Sequence, residues 1–157
     1  MEEKTAQNKK AITVMSVIIV LTLAVIWGHS CMNREDSSEE SGFVYNLLCP
    51  FFEIFMGKGN VSELFIRKLA HFTEFTVLGL ELRLFFNMVL PVKGLILLIN
   101  SWIAGTFCAL IDEMVQIFSE RGPEIADVWL DSSGCMTGVL VMTMIIVLHN
   151  KRRRKKT

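Results

Sequence analysis

The chain has 157 residues, no formal net charge and 52% hydrophobic side chains, with a mean hydropathy of +0.45. This length fits one domain, and the apolar excess is typical of a membrane protein and argues against an ordinary soluble one. The zero balance conceals an asymmetry, because acidic residues cluster at positions 35–40 whereas residues 151–156 are six consecutive cations.

The first apolar run covers residues 11–27 and contains no charge. Its length of about 17 residues reaches the lower limit for a transmembrane helix. No small-residue cleavage site follows the run, so we predict a retained N-terminal anchor and not a cleaved signal peptide. The polar, acidic stretch at residues 33–42 is expected to be a solvated loop.

Residues 43–56 are again apolar and aromatic, but Pro50 and Glu53 interrupt them. The stretch is too short to cross a bilayer as a helix. We therefore predict a short interfacial or re-entrant segment between the first and second spans.

The four cysteines are Cys31, Cys49, Cys108 and Cys135, and they show no CxxC or Cys/His ligand spacing. Cys31 and Cys49 flank the predicted outer loop, where a disulfide is one alternative. The other two lie inside apolar segments and are expected to act as small packing residues.

The second predicted span runs from about residue 68 to 90 and carries an unusual number of charges for a lipid-facing helix. At about 100° per residue, one narrow stripe of this helix collects Arg67, His71, Glu74, Leu78 and Glu81. A charged side chain at mid-bilayer costs on the order of 2.5–3.5 kcal/mol. The stripe is therefore expected to face protein or water.

The third and fourth predicted spans run from about residue 94 to 118 and from about residue 126 to 149. One face of the third collects Ser101, Gly105, Cys108, Asp112 and Gln116. One face of the fourth collects Asp127, Asp131, Gly134 and Gly138. The spacing of Gly134 and Gly138 predicts that a neighbouring helix approaches closely.

The basic residues predict the topology, because Lys9, Lys10 and the terminal cationic run all favour the cytoplasmic side. Two cytoplasmic termini require an even number of spans, and four satisfy this. We therefore predict an all-α, four-span integral membrane protein whose polar residues converge near the outer face. The terminal run lacks aromatic residues and a folded nucleic-acid-binding module, so it is interpreted as a topology signal that attracts anionic lipid, and no nucleic-acid partner is expected.

Two patterns in this chain resemble the signatures of the VanZ-like family of bacterial membrane proteins. The first pattern is Arg67-Lys68-x-x-His71-x-x-Glu74-Phe75-x-x-Leu78-Gly79. The second is Asp112-Glu113-x-x-Gln116 through Arg121, followed by Asp127-Val128, Asp131, Gly134 and Gly138. Together they cover roughly residues 65–140 of a chain that we treat as one VanZ-like domain over 1–157.

The founding member of that family is associated with resistance to the glycopeptide antibiotic teicoplanin. The resemblance implies a small multi-pass protein of the bacterial cell membrane that acts at the cell envelope, with glycopeptide resistance as one expected role. The expected partners are membrane lipids, a lipid-linked cell-wall precursor or a glycopeptide. The oligomeric state is not predicted.

Two functional hypotheses follow from the polar residues. In the catalytic hypothesis the general base and its orienting carboxylates are His71, Glu74, Asp112 and Glu113, because imidazole titrates near neutral pH. In the binding hypothesis the residues that hold an anionic head group are Arg67, Lys68, Gln116, Arg121, Asp127 and Asp131, since arginine suits phosphate. The first hypothesis describes an enzyme that hydrolyses or transfers a group on a lipid-linked substrate.

A structural alternative stays open, in which these charges pair with one another, lock the helices together and catalyse nothing. In that case the protein is a membrane scaffold or modulator, and Asp127 is a candidate N-cap of the last helix. One histidine and several carboxylates could together hold a divalent cation. The sequence has no paired His-x-x-x-His or Asp-x-Asp spacing that would make such a site specific, so neither a metal nor another cofactor is assigned from the sequence.

Overall fold

A computed structural model describes the backbone of residues 2–31, 34–118 and 124–155, and the side chains of residues 8–31, 45–55, 57–117 and 124–155. Within these ranges the chain forms five α-helices and no strand. The helices are α1 (Glu2–Cys31), α2 (Arg34–Met56), α3 (Glu63–Val89), α4 (Leu95–Phe118) and α5 (Ile125–Arg154). The predicted all-helical class is confirmed.

Three of the described helices are long and apolar enough to cross a membrane, and they are Asn8–Cys31, Leu95–Ile117 and Ile125–Arg154. They correspond to the first, third and fourth predicted spans. Large hydrophobic side chains on these helices remain exposed, such as Leu21, Phe107 and Ile145. An apolar surface of this kind is expected where lipid, and not water, surrounds the helices.

The second predicted span lies within α3, which is long enough to cross a bilayer but is not among the three apolar helices. Its charged side chains make contacts with other helices. Thr22 Oγ1 donates a hydrogen bond of 2.9 Å to Glu81 Oε1, and Arg83 Nε donates one of 2.8 Å to Thr143 Oγ1. The stripe of polar and charged side chains on α3, which was expected to face protein or water, is thus partly covered by α1. The Arg83 side chain is covered by α5.

Helix α3 begins at Glu63, earlier than the predicted start at about residue 68, and ends just before Pro91, as predicted. The Ser62 hydroxyl accepts a hydrogen bond of 3.1 Å from the Phe65 amide, which is the geometry of an N-cap. The helix ends at Val89, and Leu90 is extended because the following Pro91 disfavours the helical conformation at the residue before it.

The solvated loop predicted for residues 33–42 is wrong over residues 34–42, which form the first turns of α2. The prediction rested on polarity alone. Acidic residues at 35–40 suit the first turns of a helix, because negative charge there complements the helix dipole. Residues 43–56 continue the same helix, so the structure shows no separate re-entrant segment within the described chain.

The remainder of α2 packs against the start of α3. Cys49, Val61 and Ile66 form a small buried cluster, with Tyr45 and Phe52 packed against it. The helix ends at Met56, where Gly57 takes a φ of +86° and its amide donates to the Glu53 carbonyl oxygen. Glycine adopts this left-handed conformation without the strain that a side chain adds.

Helices α3 and α5 approach so closely that their backbones touch at glycines. A Cβ atom on Gly79 would overlap the backbone of Cys135, one on Gly134 would overlap Phe72, and one on Gly138 would overlap Thr76. The close approach predicted from the Gly134–Gly138 spacing is confirmed. This contact fixes the position of α5 relative to α3, and with it the positions of their polar residues.

A central apolar cluster surrounds this contact and consists of Ile26, Phe75, Leu78, Leu82, Ala109, Cys135 and Val139. Cys135 is fully buried and Cys108 packs against the cluster, as expected for packing residues. Cys31 and Cys49 are both free thiols, so the alternative of a disulfide between them is not found.

Candidate functional site

The candidate site is centred on Asp112, a fully buried carboxylate in α4. The Ser30 hydroxyl donates a hydrogen bond of 2.7 Å to Asp112 Oδ1, and Gln116 Nε2 donates one of 3.0 Å to Asp112 Oδ2. His71 Nδ1 lies 3.9 Å from the same Oδ2. Asp112 therefore has polar neighbours on α1, α3 and α4, which hold its carboxylate in one orientation.

Asp131 of α5 brings a second buried carboxylate to this place, with only 2% of its surface exposed. One donor atom each from His71, Asp112 and Asp131 lie within 4.8 Å of one another. These residues come from three different helices. The predicted convergence of polar residues is confirmed for these three to the extent that they meet from separate helices.

A small cavity of about 20 Å³ opens beside these residues. It is lined by Arg67, Lys68, His71, Gln116, Asp127, Leu130 and Asp131. A cavity of this size holds about one water molecule or one small ion. Five of the six residues that the sequence assigns to binding therefore surround one space, together with His71.

The Lys68 ammonium group binds the beginning of α5. Its Nζ lies 2.5 Å from Asp127 Oδ1 and 3.3 Å from Glu124 Oε2. The N-cap of α5 is Glu124, so the alternative that Asp127 is the N-cap is wrong, and Asp127 lies in the first helical turn. A carboxylate in that turn still complements the helix dipole, and here it also forms an ion pair with Lys68.

Two of the predicted catalytic carboxylates make their contacts elsewhere. Glu113 Oε1 accepts a short hydrogen bond from the backbone amide of Glu124, so it ties the end of α4 to the start of α5. Glu74 Oε1 lies 2.9 Å from His29 Nδ1 on α1. Neither carboxylate lines the small cavity.

Sequence reasoning did not assign His29 and Ser30 to the site. They follow directly after the first apolar run, where a polar pair at the end of a span has no periodic pattern to mark it. The one signal in the sequence was the predicted topology, which places the end of the first span on the same side of the membrane as Asp112. Arg121, which the sequence assigned to binding, lies outside the described residues.

The arrangement is suited to three kinds of chemistry. A histidine beside a fixed carboxylate fits proton transfer, and Arg67 and Lys68 at the cavity fit an anion. One nitrogen and two carboxylates within a few ångströms fit a cation.

Comparison with curated proteins and with solved structures found no match. A family model described as VanZ/LLP1 matches residues 15–147, which is most of the chain and includes every residue of the site described above. His71, Asp112, Asp131 and the buried polar residues around them all lie within the matched region. The chain therefore belongs to the VanZ/LLP1 family.

Proposed function

We propose that this VanZ/LLP1 membrane protein acts at the cell envelope by binding the anionic head group of an envelope lipid. The observation that carries the proposal is that Arg67 and Lys68 lie side by side next to His71, Gln116 and Asp131. The cavity between these residues is too small to enclose a phosphate group, so the phosphate is proposed to contact the two cations from outside it. A head group with a phosphate is the ligand that suits this set, because its oxygens accept from several donors at once.

Arg67 is the residue that we expect to contact the phosphate. Lys68 is already paired with Asp127 and Glu124, whereas no ion pair of Arg67 is found among the residues that the structure describes. A half-buried guanidinium gains most from a planar or tetrahedral oxyanion that accepts two parallel hydrogen bonds.

We also propose that α3 crosses the membrane as the second of four spans, with both termini in the cytoplasm and the site at the outer face. Support comes from the 27-residue length of α3, from the contacts that cover its charged side chains, and from the cations near both termini. Single-cysteine labelling with an impermeant reagent tests the topology in a background without native cysteines. Gly59→Cys should be labelled from outside, whereas Lys93→Cys should be labelled only after the membrane is permeabilised.

Native mass spectrometry of the detergent-purified chain tests lipid binding. The wild type should retain a phosphate-bearing lipid that Arg67→Gln loses, while Lys58→Gln retains it. Lys58→Gln also replaces a cation by glutamine, at an exposed position in the turn between α2 and α3. Equal lipid retention by the two variants, both with the melting temperature of the wild type, would contradict the proposal.

A role in glycopeptide resistance is a further part of this proposal, and it rests on the family alone. The expected result is that expression of the chain in a susceptible Gram-positive host raises the inhibitory concentration of teicoplanin, and that Arg67→Gln at equal membrane abundance does not. An unchanged inhibitory concentration with the wild type would remove resistance from the proposed function without affecting lipid binding.

An enzyme acting on the same lipid is the second candidate, favoured by the 3.9 Å distance between His71 Nδ1 and Asp112 Oδ2. In this case Asp112 orients the imidazole, which takes a proton from water or from an acceptor hydroxyl as the oxygen of that group attacks the phosphorus of the head group. The P–O bond to the leaving group breaks, and the imidazolium returns the proton to the leaving oxygen. Incubation of the purified protein with the lipid that it retains should then release a product in the wild type and not in His71→Gln. Lipid that is bound but never converted would exclude this candidate.

A further inference from the structure

We propose that His71, Asp112 and Asp131 form a binding site for one divalent transition-metal cation. One donor atom from each residue lies within 4.8 Å of the others, and His71 Nδ1 is 3.9 Å from Asp112 Oδ2. Two ligands that share a cation at about 2.0–2.2 Å in tetrahedral geometry lie about 3.3–3.6 Å apart. The histidine–aspartate pair is within a few tenths of an ångström of this distance, and Asp131 needs to move by up to about 1.5 Å to complete the set.

The charges around the site favour a cation. Asp112 and Asp131 are both fully or almost fully buried, and two carboxylates this close repel each other strongly when they are removed from water. The cationic side chains that line the cavity are Arg67 and Lys68. Lys68 is paired with Asp127 and Glu124, so it is not available to neutralise the two buried carboxylates fully.

Asp131 supplies an independent observation that points to a ligand. Its Oδ1 atom is buried and has no hydrogen-bond partner among the described residues. A buried carboxylate oxygen without a partner carries a large desolvation cost. A metal ion held jointly with His71 and Asp112 would satisfy that oxygen and offset the repulsion between the two carboxylates.

The surroundings of Asp112 resemble those of a metal ligand. Ser30 donates to one carboxylate oxygen and Gln116 to the other, so the orientation of the group is fixed before a cation arrives. Hydrogen bonds of this kind to ligating carboxylates commonly tune metal sites. The cavity of about 20 Å³ at His71 and Asp131 has room for about one water molecule as a further ligand.

The ligand set indicates the class of cation. One imidazole nitrogen and two carboxylates suit Zn²⁺ or Mn²⁺, whereas Mg²⁺ and Ca²⁺ prefer oxygen ligands alone. The sequence shows no metal-binding spacing for these residues, because each ligand comes from a different helix. The inference does not require a bound lipid, so its test is independent of the test of the head-group proposal.

The test uses the full chain in detergent, without a histidine tag, stripped with a chelator and then dialysed against Zn²⁺ or Mn²⁺. Elemental mass spectrometry should find about one metal ion per chain in the wild type for one of the two metals. His71→Gln and Asp131→Asn should each reduce the bound metal at least tenfold. The matched control is Glu81→Gln, which removes a carboxylate that binds Thr22 elsewhere on α3, and it should bind as much metal as the wild type.

Asp131→Asn is expected to fold, because it removes one of two repelling buried charges and keeps the side-chain volume. Its melting temperature without metal should be at least that of the wild type. Metal should raise the melting temperature of the wild type and of Glu81→Gln but not that of Asp131→Asn. A wild type that binds neither metal and shows no thermal shift would overturn the proposal, as would an Asp131→Asn variant that binds metal like the wild type.

Discussion

Ser30 Oγ donates a hydrogen bond of 2.7 Å to Asp112 Oδ1, although the two residues are 82 positions apart and lie on α1 and α4. Both side chains are fully buried. Two further polar contacts connect α1 to α3, from Thr22 to Glu81 and between His29 and Glu74. The N-terminal helix is therefore part of the site and not only an anchor.

Substitution of Ser30 by alanine should lower the free energy of unfolding by about 1.5–3 kcal/mol, because a buried carboxylate loses a charge-assisted hydrogen bond. Ser133→Ala is the control, since its exposed hydroxyl bonds only the Leu130 carbonyl oxygen in the same helix. Thermal unfolding in detergent measures both. A melting temperature for Ser30→Ala equal to that of the control would show that water or another group replaces the hydroxyl.

Gly138→Ala should separate α3 from α5 and destabilise the protein by about 1–3 kcal/mol or more, because the new methyl group meets the Thr76 carbonyl oxygen and the Leu80 amide nitrogen. Gly28→Ala in α1 has open space around its Cβ position and should stabilise the helix by up to about 1 kcal/mol. Fluorescence-detected size exclusion after heating compares the two variants. Gly138→Ala with the thermal stability of the wild type would contradict the close approach of these helices.

Lys68 and Asp127 should show an interaction energy of about 0.5–1 kcal/mol in a double-mutant cycle of Lys68→Gln and Asp127→Asn. The value is modest because both side chains are partly exposed, at 31% and 25%, and solvent screens the pair. The control cycle combines Asp127→Asn with Lys93→Gln, an exposed residue in the turn before α4. Equal coupling in both cycles would mean that the ion pair does not form in solution.

Glu113 separates the structural interpretation from the catalytic one. Its carboxylate accepts a hydrogen bond from the Glu124 amide, so Glu113→Ala should cost about 1.5–3 kcal/mol. Glu113→Gln keeps an acceptor and should cost less. If Glu113 is catalytic, the glutamine variant instead keeps its melting temperature and loses all turnover of the bound lipid. Thermal unfolding and product release, measured on the same three proteins, distinguish the two outcomes.

The meeting of His71, Asp112 and Asp131 was predictable because each lies on a polar face of a helix, and helical periodicity assigns such faces directly. Their assignment to one end of the bundle followed from the alternating direction of successive spans. The close contact at Gly134 and Gly138 was also predictable, because two glycines four residues apart lie on one face of a helix and allow a neighbouring helix to approach.

The contributions of His29 and Ser30 were not predictable, because a hydrogen bond between helices that are far apart in the sequence produces no periodic pattern in either helix. The contacts of Glu74 with His29 and of Glu113 with the Glu124 amide were not predictable for the same reason, since each carboxylate meets a residue from another part of the chain. The helix at residues 34–42 was missed because polarity describes a solvated surface equally well for a loop and for a helix.

The contacts of α3 also constrain the order in which this chain is assembled during its synthesis. On the four-span topology proposed above, α3 leaves the ribosome well before α5, which supplies Thr143 for Arg83 and the glycine surface for the α3 backbone. Helix α1 can cover Glu74 and Glu81 before then, but without α5 the Arg83 side chain has lost its partner and would face lipid. We therefore expect α3 to be held stably in the bilayer only after α5 has been made, so removing α5 by truncation should reduce the fraction of α3 that is inserted.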